Sequence, residues 1–172
     1  SSQRLLNTKG KTMHAKDIIK SNIDMGHFVC MGYLADLTDA DLLRRPVPGV
    51  NHINWQLGHL IVAENYHGNL ASGGKMPPLP AGFAEKYTKE TASSDDPNAF
   101  CSKEELLRVA AEQRAATYAA LEAISDADLD AQTGIPYCKT KGEQLALQGT
   151  HWLMHCGQWA VVRRQLGKPP LF

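Results

Sequence analysis

Apolar residues recur along this chain at the three-to-four-residue spacing of a helix, in four long stretches separated by polar or Pro/Gly-rich breaks. The first runs from about Ala15 to Asp36, where Ile18, Ile19, Ile23, Met25, Val29, Leu34 and the following Leu37 build one stripe. The second follows Pro48-Gly-Val-Asn-His52 and spans about Ile53 to Ala71, with Asn51 as its expected N-cap and Gly73-Gly74 as its stop. Ser102-Lys-Glu-Glu105 and Thr140-Lys-Gly-Glu143 both have the form of a capping box. They open a third helix to about Ile124 and a fourth to Leu166, where Gly167 and then Pro169-Pro170 end it. No pair of alternating segments argues for strands, so the pattern predicts an all-α fold.

Helices two and three are joined by a long Pro/Gly-rich stretch, Gly73 to Ala99, with a short helix expected near Ala84 to Glu90. Such a connection in a compact domain is either a functional lid or a crossover. There is also an internal echo. Leu37-Thr-Asp-Ala-Asp-Leu42 follows helix one and Ile124-Ser-Asp-Ala-Asp-Leu129 follows helix three, each leading through a Pro-containing loop to a His-bearing helix. Ser/Thr-Asp-x-Asp caps short helices on its own account, so the echo reads equally as local capping or as a repeat of two helical hairpins.

With 172 residues, 43% of them hydrophobic and 21% charged, the chain is expected to fold as one globular domain over residues 13–172. Residues 1–12 are polar, basic and aperiodic, and are expected to be a disordered extension or leader ahead of Met13. Eighteen basic and 18 acidic residues cancel without segregating, which argues against nucleic-acid binding. No apolar run reaches the eighteen or so residues that a membrane helix needs. Cys30, Cys101, Cys138 and Cys156 lack paired short spacing, so they are expected to be reduced thiols of a cytoplasmic protein.

Chemistry enters with His151 and His155, four residues apart in HWLMHCGQW. That spacing puts both imidazoles on one helix face, where they can converge on a single metal ion. The 7 histidines of the chain make such a pair fairly common by chance, so its surroundings decide. Helix two carries His59 within Asn54-Trp-Gln-Leu-Gly-His59-Leu-Ile-Val-Ala-Glu64, apolar on almost every face and therefore largely buried. A histidine there must satisfy both ring nitrogens, through hydrogen bonds or a metal. Taken alone, each set is more often core packing than a ligand. Together, His59, His151 and His155 would supply three nitrogens at about 2.0–2.1 Å and leave a fourth position open, as in a catalytic zinc site. Glu64, Asn65 and Gln158 are the candidates to orient the ligand rings from behind.

These residues resemble the DinB/YfiT-like superfamily of metal-binding four-helix bundles. The likeness lies in Asn51-His-Ile-Asn-Trp-Gln-Leu-Gly-His59-Leu-Ile61 on helix two and in His151-Trp-Leu-Met-His155-Cys-Gly-Gln158 through Arg163-Arg164-Gln-Leu-Gly-Lys-Pro-Pro170 on helix four. The resemblance covers the chain from about Met13 onward. It implies an up-down-down-up bundle with the long crossover between helices two and three. It implies that His59, His151 and His155 bind a divalent metal, zinc or nickel, and that the protein forms a homodimer. Relatives include transferases and isomerases that use low-molecular-weight thiols such as bacillithiol or mycothiol.

The remaining candidates are read more plainly. His52 sits in the loop before helix two, His27 is expected to pack in the bundle, and His67 is expected at the surface. Trp55, Trp152 and Trp159 are core residues; Gly157 is expected to permit close helix contact; Arg163 and Arg164 complement the helix dipole. The first functional reading is a metal-dependent enzyme that activates a low-molecular-weight thiol, or water, against a small-molecule substrate, as a thiol transferase or else a hydrolase. The rival is a non-catalytic stress-response or ligand-binding bundle with a structural metal. A fourth ligand from the chain, such as His52 or Glu64, would favour the rival. An open position facing a pocket would favour the enzyme.

Overall fold

The computed structural model describes residues 12–171, so the expected leader lies almost wholly outside the described residues. Six α-helices are present among them, and no strand beyond an isolated bridge between Gln132 and Thr140. Four are long: α1 (Ala15–Leu34), α3 (Ile53–Ser72), α4 (Lys103–Ala123) and α6 (Lys141–Gln165). Two are single turns, α2 (Asp39–Leu42) and α5 (Asp126–Leu129), both with the sequence Asp-Ala-Asp-Leu. They are the echo in the sequence, and each is capped as its sequence predicts. Thr38 Oγ1 accepts from Asp41 N, and Ser125 Oγ accepts from Asp128 N.

The long helices close a ring of contacts, α1 on α6, α6 on α3, α3 on α4 and α4 on α1. Helix α3 is buried on nearly all faces because the segment after it also folds back upon it. That segment is a packed connection. It contains 3-10 turns at Ala84–Tyr87 and Pro97–Ala99, and drives Phe83, Tyr87 and Phe100 into the core. Trp55 Nε1 donates to Thr88 O at 3.1 Å, and Arg45 donates to the carbonyls of Val50, Ala92 and Ser94. Tyr87 lies on Gly58, where an added Cβ would stand 2.2 Å from the ring.

Several local expectations are corrected. The N-cap of α3 is His52, whose Nδ1 accepts from Trp55 N at 3.0 Å, and not Asn51. Gly157 is exposed with nothing within 4 Å of a Cβ; the close approach belongs to Gly26 on α1 and Gly149 on α6. A Cβ on Gly149 would stand 2.4 Å from Asn22 O. Arg163 does more than complement the helix dipole. It is buried, pairs with Asp36 and donates to Tyr33 O at 2.9 Å, tying the end of α6 to the end of α1. All four cysteines are free and buried.

Candidate metal centre

His59 faces inward from the middle of α3, and His151 and His155 face it from adjacent turns of α6. Each offers one ring nitrogen, and those three nitrogens lie within 4.8 Å of one another. A tetrahedral ion with bonds of about 2.0–2.1 Å holds its donors roughly 3.3 Å apart. The cluster is therefore within reach of that spacing by small side-chain rotations. Trp55, one turn before His59, stacks parallel on its ring at 5.1 Å and 6°, which fixes the plane of the imidazole.

A hydrogen-bond chain settles which nitrogen His155 offers. The Trp159 indole N–H donates at 2.9 Å to Gln56 Oε1, and an indole can only donate. Gln56 Nε2 in turn donates to the Asn51 carbonyl, which can only accept. Both ends thus fix the orientation of the amide. His155 Nδ1, 3.1 Å from Gln56 Oε1, must then be the donor, leaving its Nε2 lone pair for a ligand. Gln56 was not among the expected supporting residues, although it lies three residues before His59, on the same side of the helix. Gln158 stands one step further back, accepting from Gln56 Nε2 at 2.9 Å.

The two side chains that the sequence offers as a fourth ligand are committed elsewhere. His52 Nε2 donates to Ser94 O at 3.2 Å while its Nδ1 caps α3, so both ring nitrogens are used. Glu64 lies fully buried, with Arg114 Nη2 at 3.0 Å and the Thr117 hydroxyl donating at 2.8 Å. Burial pushes its carboxyl above the usual range, against the pull of Arg114. Asn65 donates to Pro77 O and Gln113, outside the cluster. His27 remains half-buried on α1. In place of a fourth side chain the cluster meets a cavity of about 590 Å³, lined by His59, Val62, Tyr66, His67, Tyr137 and His151 among others. His67 is thus a buried pocket residue, not the expected surface one; it has 5% exposure and its Nδ1 meets Gln144 Oε1.

Desolvation keeps the cluster neutral. Burial, with repulsion among the rings, holds His151 and His155 down to about 4, and burial lowers His59 as well. In the metal-free protein this gives a pH dependence whose sign is set by proton counting. Unfolded imidazoles protonate as pH falls through about 6.5, whereas the folded ones stay neutral until about 4. Between those values the unfolded state binds more protons, so stability rises with pH and is lost as pH drops from 7 toward 4. After allowance for partial exposure, the loss from pH 7 to 4 is on the order of 2 kcal/mol, a Tm fall of roughly 4–8 °C. Thermal unfolding of chelator-treated protein checks this, with a His151→Ala, His155→Ala double variant expected to show a smaller fall; equal falls in the two proteins would contradict it.

The fold has a solved counterpart. A crystal structure described as the conserved protein of a locus from Enterococcus faecalis superposes with a TM-score of 0.68 at 20% identity, covering 91% of this chain and 100% of that one. That likeness shows the fold alone. No curated protein matches the chain. The family model described as the DinB superfamily matches residues 30–159, from near the end of α1 through α3 and α4 and into α6 past His151 and His155, and the chain belongs to the DinB superfamily.

Proposed function

We propose that this protein is a metal-dependent enzyme on an up-down-down-up four-helix bundle. His59, His151 and His155 hold one divalent ion, zinc or nickel, and a small-molecule substrate occupies the adjoining cavity. The observation that carries the reading is the pairing of a three-histidine cluster with a pocket, while His52 and Glu64 are spent on other partners. A structural metal is better served by a fourth protein ligand than by an open approach. When bound, the ion supplies Lewis-acid activation of a nucleophile, a low-molecular-weight thiol in the first reading and water in the second.

The chain's own residues do the positioning. Gln56 presents the lone pair of His155 and Trp55 holds the ring of His59. Val62, Ala63 and Leu147 give the pocket apolar walls beside the reacting groups. Four unbridged buried thiols suit a reducing, cytoplasmic setting in which such thiol cofactors circulate.

The test is conjugation of low-molecular-weight thiols to 1-chloro-2,4-dinitrobenzene, paired with elemental analysis of untagged protein. About one divalent ion per chain is expected, with conjugation lost on chelation and restored by zinc or nickel. Conjugation undiminished after the ion has been stripped would remove the mechanism. Hydrolysis of activated esters in its place, with the same metal dependence, would favour water as the nucleophile.

A further inference from the structure

The pocket beside the histidine cluster has a second polar end. His67 lies eight residues beyond His59 on α3, about two turns and roughly 12 Å along the helix. Its orientation is over-determined. Gln144 Nε2 donates to Cys138 O, an acceptor only, and to Thr133 Oγ1 at 3.1 Å, so Gln144 Oε1 is the atom turned toward His67. His67 Nδ1 therefore carries the proton, and Nε2 carries a lone pair. Tyr66 and Tyr137 stand edge-on to the ring at 5.1 and 6.0 Å, and all three residues line the cavity that reaches His59 and His151. A packed core histidine uses both nitrogens. Here Nε2 has no protein partner among the described residues, and is not among the buried polar atoms sealed off without one.

We infer that His67 Nε2 is an acceptor that anchors the far end of the ligand, selecting molecules with a hydroxyl or N–H group about two helical turns from the group that meets the cluster. Between the two ends Val62, Ala63 and Leu147 offer only apolar contact. The ligand class is thus a small molecule with a metal-binding head, an apolar middle and a hydrogen-bond-donating tail. This deepens the enzymatic reading above and rests on it for the identity of the head group alone; the acceptor belongs to the chain itself.

Two thiols matched in length, 8-mercaptooctan-1-ol and octane-1-thiol, separate the two ideas. Each is titrated by calorimetry into Co(II)-loaded and metal-free protein, with the sulfur-to-cobalt absorption band followed in the loaded form. One added hydrogen bond predicts that the hydroxyl-bearing thiol binds about 3–10-fold more tightly, and that His67→Phe abolishes the difference while still binding octane-1-thiol. Equal affinities in the wild type, or a preference that survives in His67→Phe, would overturn the anchor. If no absorption band develops with either thiol the metal reading fails, while the hydroxyl preference in the metal-free titration still decides the role of His67. Imidazole ¹⁵N NMR of the wild type gives an independent check that needs no variant. A protonated Nδ1 and bare Nε2 at His67 are expected, and the opposite tautomer would also overturn the proposal.

Discussion

His151→Ala is expected to release the metal altogether, leaving well under one ion per chain by elemental analysis after gel filtration. With three histidines and no fourth ligand among the described residues, removal of one leaves only two imidazoles for the ion. Two neutral nitrogens on separate helices retain a divalent cation poorly against buffer and chelator. Gln56→Leu makes the informative contrast, because it leaves all three ligands in place but removes the acceptor for His155 Nδ1–H and for Trp159 Nε1–H. Loss of such an outer partner weakens metal affinity by about 10–100-fold, short of abolishing it. Competition with a chromophoric chelator should therefore rank wild type above Gln56→Leu, with His151→Ala at background. Stoichiometric ion in His151→Ala would refute the assignment, and wild-type affinity in Gln56→Leu would refute the supporting role of the amide.

Much of this site was legible in the sequence because helical spacing is a strong constraint. The four-residue spacing of His151 and His155 fixes a shared face whatever the rest of the chain does. Continuous apolar sequence around His59 likewise places that ring in the interior. Side-chain direction within a buried helix was not legible. Glu64 and Asn65 sit close to His59 in sequence, yet they turn toward α4, where Arg114, Thr117 and Gln113 receive them. Gln56 turns toward α6 in the company of His155 and Trp159. Which polar residue meets which partner depends on how α3 is rotated between its two neighbours, and one sequence does not contain that angle. His67 was misplaced for a related reason. It sits near the end of α3, where solvent is the usual expectation, but the loop carrying Tyr137 and Cys138 folds over it.

The glycines of α6 give the second large effect, and the two substitutions have opposite signs. Gly149 meets α1 backbone to backbone, since its Cβ would fall 2.4 Å from Asn22 O and 2.6 Å from Asn22 C. Gly26 mirrors it, with a Cβ position 2.7 Å from Gly149 O. Backbone atoms at that distance cannot rotate out of the way, so Gly149→Ala must push the two helices apart. Overpacking of this kind costs about 1–3 kcal/mol, with the upper end expected where main chain is the obstacle. That is a Tm loss of roughly 2–12 °C for a chain of this size. The displaced helix carries His151 only two residues on, so metal affinity should fall along with stability. Gly157 lies on the same helix with open space around its Cβ position. There Ala relieves the entropic cost of glycine in a helix and should raise stability by about 0.5–1 kcal/mol. Thermal melts of the two single variants, with and without added zinc, decide the matter. A Gly149→Ala protein as stable as wild type would mean that α1 and α6 do not touch at their backbones, and the position of both α6 histidines would then have to be redrawn.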